Sequence, residues 1–151
     1  GKALSGGMMP VSAVLADDEI MMRIKPGQHG STFGGNPLAA VTAVASLKVL
    51  QEEAMAENAL LLGEYFRGEL NKIQNHHLKL VRGKGLLNAI EIYSDGPQAA
   101  WNLCLEMKER GLLAKPTHGD KIRFAPPLCI TKEQLKECIE IIKQSLHVLD
   151  K

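Results

Sequence analysis

The chain has 151 residues, 45% of them apolar and 23% charged, which is enough for one sizeable core or two small ones and too apolar for a disordered segment. A formal net charge of +1, with acidic and basic residues interleaved, provides no basic stripe for a phosphate backbone and argues against nucleic acid as a partner. No apolar run reaches the roughly 20 residues that cross a bilayer and no signal peptide is visible, so a soluble chain without a membrane partner is expected. Cys104, Cys129 and Cys138 are odd in number and lack a CxxC spacing, which argues against a disulfide framework and a structural zinc site. A reducing compartment follows, the cytoplasm first and the mitochondrial matrix as the alternative. The chain opens on Gly1 and a glycine-rich turn with no preceding strand, so a fragment of a longer protein or a processed chain is expected.

The opening run Gly1-Lys2-Ala3-Leu4-Ser5-Gly6-Gly7 sets a lysine among small residues. An amine there can attack a carbonyl when a partly desolvated pocket keeps it neutral, or it can remain an ordinary solvated charge. Val11 to Ala16 is short, apolar and partly β-branched, and it reads as a buried strand, with a helical turn over Asp17 to Ile24. Residues 25–37 carry too much Gly and Pro for regular structure. Asn36 and Pro37 then mark a helix start, a side-chain cap followed by the position where proline's missing N–H costs nothing. That helix should run to about Glu53, and the small and apolar residues of Leu38 to Leu47 predict burial on most sides.

A second helix is expected from the stripe Met55, Ala59, Leu62, Phe66, Leu70 and Ile73, with a domain transition near residues 50–56. Strands follow over Leu80–Gly85 and Leu86–Tyr93. A helix starts near Pro97 and carries Ala100, Trp101, Cys104 and Leu105, and a further strand is expected at Leu112–Ala114. Lys121–Ala125 alternates so that Ile122 and Phe124 share one face while Arg123 leaves the core, and Pro126-Pro127 ends the strand. Thr131 and Gln134 make a capping box for a last helix with the stripe Leu135, Cys138, Ile139, Ile142, Leu146 and Leu149.

Three segments carry chemistry. In His29 to Pro37, Ser31, Thr32 and three glycines precede a helix start, an arrangement suited to a phosphate or simply to a tight, locally satisfied loop. Arg123 could clamp a carboxylate or serve a structural ion pair. Arg82 in Val81-Arg82-Gly83-Lys84-Gly85 reads as a turn arginine. None of the five histidines is spaced as a metal ligand with a partner, so no metal is expected.

Taken together, Gly1 to Gly7, HGSTFGGNPL from His29 to Leu38, VRGKGLL from Val81 to Leu87 and KPTHGDKIRFAPPL from Lys115 to Leu128 resemble, in order and spacing, the class III pyridoxal-phosphate aminotransferases. LLNAIEI and THGDKIRFAPPL resemble the branch that acts on ornithine. The likeness covers essentially this whole chain and only the C-terminal third of such an enzyme. It implies an α/β fold: the end of the large domain of a fold type I pyridoxal-phosphate transferase at about residues 1–54, and the small C-terminal α/β domain at 55–151.

By the same resemblance, Lys2 is the catalytic lysine, which anchors the pyridoxal 5'-phosphate cofactor covalently and moves the proton. Thr32, with Ser31 beside it, binds the cofactor phosphate of the neighbouring subunit of a homodimer, and Arg123 binds the substrate α-carboxylate. Ornithine and 2-oxoglutarate are the implied substrates; acetylornithine, another ω-amino acid, or a non-catalytic truncated paralogue are the alternatives. Met9 departs from the aromatic frequent in the ornithine branch. The aspartate and aromatic that hold the cofactor ring, and the acidic residue that manages Arg123 between half-reactions, belong to upstream segments. This chain alone is therefore expected to be inactive.

Overall fold

A computed structural model describes residues 3–93 and 96–150. The chain divides into two compact units, residues 1–54 and 55–151.

In the first unit the chain after Ala3 makes a tight turn. Gly6 N–H donates to Ala3 O at 3.0 Å, and Gly6 and Gly7 take the left-handed conformation that glycine adopts without cost. Ser5 is fully buried and pins the turn, its hydroxyl donating to Met9 O and accepting from Met9 N–H at 3.0 Å. Helix α1 is a single turn, Asp18–Met21. Helix α2, Pro37–Glu52, begins as the sequence predicts, with Asn36 Oδ1 accepting from Ala39 N–H at 2.9 Å.

Two expectations for this unit fail. Val11 makes only an isolated parallel bridge with Ala3, and residues 12–16 have no regular structure; Leu15 is 93% exposed. A strand needs a neighbour to take its N–H and C=O groups, and no further one lies among the unit's described residues. Likewise α2 buries only Ala39 and Ala43, while Leu38, Val41 (68% exposed), Val44 and Leu47 face solvent. The described part of the unit holds one long helix and no sheet to lay over it.

The second unit has a core of its own. Helix α3 spans Met55–Leu70, strands β1 and β2 span Leu78–Lys84 and Leu87–Ile92, and helix α4 spans Ala99–Glu109. Strands β3 and β4 span Lys115–Thr117 and Lys121–Phe124, helix α5 spans Lys132–Ser145, and a 3-10 turn closes the chain at Leu146–Asp150. The four strands form an antiparallel sheet in the order β1-β2-β4-β3. One sheet face is apolar, with Ile90 and Ile92 on β2 and Ile122 and Phe124 on β4, and it belongs to the same buried cluster as Phe66, Leu103, Met107, Leu135 and Ile142 from the helices. Each such side chain contributes about 1.5–3 kcal/mol by leaving water. Phe66 and Phe124 meet edge to face at 5.8 Å between ring centroids.

Helix α5 carries the expected capping box, Thr131 and Gln134 each accepting from the other's backbone N–H, and Leu135, Ile139, Ile142 and Leu146 of its stripe are buried. The strand expected at Leu112–Ala114 is absent and β3 starts just after it. Leu112 N–H is committed to Met107 O at 2.9 Å in closing α4, and Gly111 takes a left-handed conformation, so the backbone is still leaving the helix where the strand was expected.

Helix α3 and the β1–β2 hairpin approach unusually closely. Gly63 faces the backbone of Gly85, and a Cβ there would sit inside the Gly85 carbonyl group. The buried Asn88 completes the contact: its Oδ1 accepts from Arg67 Nη1 at 2.7 Å, and its Nδ2 donates to Gly85 O at 3.1 Å.

Candidate functional site

The residues singled out by sequence fall in both units. Lys2 lies outside the described residues; its successors, Ala3 to Met9, form the Ser5-pinned turn.

Ser31 and Thr32 stand on the loop before α2, both exposed. Successive turns shape this loop, with Gly34 N–H donating to Ser31 O at 3.4 Å and Asn36 N–H to Phe33 O at 3.3 Å. The Asn36 side chain locks the end, its Nδ2 donating to Phe33 O at 2.8 Å while its Oδ1 caps α2. A Cβ at Gly34 would meet Ser31 Oγ at 2.8 Å and turn that hydroxyl aside. Neither hydroxyl has a hydrogen-bond partner among the described residues. The first turn of α2 holds no acidic residue, so the positive end of the helix dipole is not neutralised locally. Two free hydroxyls at the entrance of a 16-residue helix suit a phosphate, whose oxygens accept both and whose charge the dipole favours. That donor set fits the phosphate of a cofactor.

Arg123 stands on β4 between the buried Ile122 and Phe124, and alternation turns its side chain away from the core into solvent. Its register partners are Ala89 on β2 and Lys115 on β3, so it lies on the sheet face opposite the core. This face carries a groove of about 480 Å³ lined by Arg82, Lys84, Thr117, His118, Lys121 and Arg123, with Leu87, Asn88 and Ala89 among the others. Its cations divide into two sets. Arg82 Nε is paired with Glu91 at 3.1 Å and Lys121 Nζ with Asp120 at 2.6 Å, the latter holding the Asp120 carboxyl below the usual carboxylate range. Arg123 and Lys84 have no carboxylate partner among the described residues, and Arg123 is the arginine of the two. The small side chain of Ala89, the register partner of Arg123, leaves room beside the guanidinium for an incoming carboxylate to meet both N–H edges.

Apart from Arg82, the groove's other lining residues carry no signal of their own in the sequence. Lys121 and Arg123 are two apart on one strand and so share a face, a signal the alternation already carried. His118 was hidden in the β3–β4 turn, where it takes φ 56° beside Gly119 at φ 78°. A non-glycine residue held left-handed costs on the order of 1 kcal/mol, and here it puts an imidazole at the groove edge. Arg82, expected in a turn, lies instead within β1 and is occupied by Glu91 across the strand pair.

Comparison with known proteins places these features in a family. Residues 1–146 match the family model described as aminotransferase class-III. The mitochondrial ornithine aminotransferase of Drosophila ananassae is 60% identical over 146 residues, covering 97% of this chain and 33% of the relative. The acetylornithine aminotransferase of Elizabethkingia anophelis superposes with a TM-score of 0.90 at 60% identity, covering 97% of this chain and 39% of that one. The ornithine delta-aminotransferase of Plasmodium falciparum gives a TM-score of 0.93 at 51% identity, over 99% and 38%. This chain thus spans about a third of the length of the curated relatives it matches. The fold is that of fold type I pyridoxal-phosphate transferases, seen here as a mixed α/β chain with a small antiparallel sheet. The chain belongs to the class III aminotransferase family.

Proposed function

We propose that this chain is the C-terminal part of an ornithine δ-aminotransferase, which moves the δ-amino group of ornithine to 2-oxoglutarate and yields glutamate semialdehyde and glutamate. Residues 1–54 are the end of its large cofactor-binding domain and 55–151 its small C-terminal domain. The observation that carries the reading is Arg123, the groove arginine left without a carboxylate where the other, Arg82, is paired with Glu91.

Pyridoxal phosphate, when bound, supplies the electron sink for the amino-group transfer. The chain's own residues do the rest. Thr32 and Ser31, at the entrance of α2, hold the phosphate, and in a homodimer they do so for the neighbouring subunit. Arg123 binds the substrate α-carboxylate through two parallel N–H···O bonds and so fixes the distance from that end of ornithine to the reacting Cδ–H bond. Lys2 would hold the cofactor through its aldehyde, and its free amine would serve as the base that takes the proton from that carbon and returns it during transfer. The solvent-facing apolar residues of α2 are the half of a core that the upstream two thirds complete, which is why the chain alone is inactive. The mitochondrial name of relatives such as that of Drosophila ananassae favours the mitochondrial matrix over the cytoplasm.

A second reading, an acetylornithine aminotransferase, is favoured by the 60% identity to the Elizabethkingia enzyme. Substrate competition on the full-length gene product separates the two. Ornithine should be turned over in preference to N-acetylornithine, and the reverse preference establishes the second reading. Arg123→Lys should raise KM for the carboxylate substrates by roughly 10- to 100-fold, as expected for losing one charged hydrogen bond. Arg82→Lys, which alters an arginine already paired with Glu91, should leave KM near wild type. Equal effects of the two changes would remove Arg123 from the site.

A further inference from the structure

We propose that His76, His77 and Asp150 bind one divalent transition-metal ion of the zinc class at the rim of the second unit. Their ligand atoms lie within 4.8 Å of one another. His77 Nε2 stands 2.9 Å and His76 Nε2 3.9 Å from the same Asp150 oxygen, Oδ1. A tetrahedral ion with bonds of about 2.0–2.1 Å spaces its donors roughly 3.3 Å apart, a value the two distances bracket. Side-chain rotation alone would bring all three onto an ion.

Neighbouring histidines on a strand point to opposite faces, which is why the sequence shows no ligand pair here. These two sit in the turn that enters β1, and their rings lie side by side with centroids 3.9 Å apart. The turn is held by one side-chain and two backbone acceptors: His77 N–H donates to Asn75 Oδ1 at 2.8 Å, Leu78 N–H to Asn75 O at 3.1 Å, and Tyr93 N–H to His77 O at 2.8 Å. On the opposite side, Asp150 ends the 3-10 turn that the fully buried Leu146 anchors in the core. The third ligand therefore comes from 73 residues beyond His77, a separation no local spacing reveals.

Two imidazoles and one carboxylate select zinc, copper or nickel over magnesium and calcium, which prefer oxygen ligands. The His76 and Asp150 side chains are 78% and 52% exposed, so water completes the coordination and the ion enters without unfolding. Once bound, it would tie the end of the chain to the α3–β1 connection.

The test is a zinc titration of the full-length gene product after chelator dialysis, read by competition with a chromogenic zinc indicator. A Cys129→Ser background removes the exposed thiol as a rival ligand. One zinc per chain should bind, and His76→Ala or Asp150→Asn should each weaken it by roughly tenfold or more. Zinc should shift the imidazole NMR resonances of His76 and His77 and leave those of His29 and His147 in place. His76 and Asp150 are exposed, so both variants should keep the wild-type circular dichroism spectrum. No binding by the wild type at millimolar zinc, unchanged affinity in both variants, or shifts confined to other histidines would each overturn the proposal.

Discussion

Replacing Gly63 with alanine tests the packing of the second unit at its tightest point. The added Cβ would lie 2.9 Å from Gly85 Cα and closer still to its carbonyl, whereas carbon atoms settle at about 3.5–4.0 Å. All three obstructing atoms are backbone, so no side chain can rotate away, and α3 and the hairpin must part by roughly 1.2 Å or more. Overpacking of this kind costs typically 1–3 kcal/mol, and a backbone-on-backbone clash belongs at or above the upper end. Alanine returns about 1 kcal/mol of helix propensity, which leaves a net loss of about 2 kcal/mol. For a unit of roughly 100 residues that lowers Tm by about 8–16 °C.

The control lies in the same helix. Gly68 has open space around its Cα, so Gly68→Ala should stabilise by up to about 1 kcal/mol. Urea unfolding followed by fluorescence of Trp101, the single tryptophan of this chain, reports on this unit directly. Shifts of the same sign in the two variants would refute the close approach of α3 to Gly85.

Two further predictions concern buried polar groups. Asn88→Ala removes the oxygen that Arg67 Nη1 donates to at 2.7 Å and should cost about 2–3 kcal/mol, measured by the same urea melt; a loss below 0.5 kcal/mol, on the order of an ordinary surface change, would dismiss the contact. Burial pushes the Cys104 thiol up to about 11 and raises that of Cys138 in the same direction. Because the folded state holds these protons more tightly than the unfolded chain, their contribution is complete below the ordinary thiol pKa of about 8.5 and is lost as pH climbs toward 11. Stability should therefore fall over that window, and Cys104→Ala should flatten the decline; an unchanged slope would assign the effect to other groups.

What the sequence made legible was local. Asn36-Pro37 and Thr131 with Gln134 announce helix starts because the capping partners lie within three residues, and the alternation of Ile122, Arg123 and Phe124 sets their faces because a strand has period two. What it hid depends on distant chain. The apolar run Val11–Ala16 reads as a strand by composition, but a strand is defined by a partner, and Ala3 alone provides only a bridge. The Arg67–Asn88 pair and the close approach at Gly63 join α3 to the hairpin by contacts without a sequence period. At the candidate site the positions of Ser31, Thr32 and Arg123 were legible as a loop before a helix and an outward strand residue. The paired state of Arg82 and Lys121, which sets Arg123 apart from them, rests on where Glu91 and Asp120 fall in the fold.

The strand order β1-β2-β4-β3 also orders events in time. Helix α3, β1 and β2 are consecutive in the chain, so their mutual contacts close short loops and can form within microseconds. The edge of β2 then serves as the template for β4, which reaches it only after α4 has been laid down between them. A nucleus built this way keeps the costly long-range pairing for last. It also places Gly63 against the Gly85 backbone at the first encounter, so the missing methyl group of Gly63 matters from the start of folding.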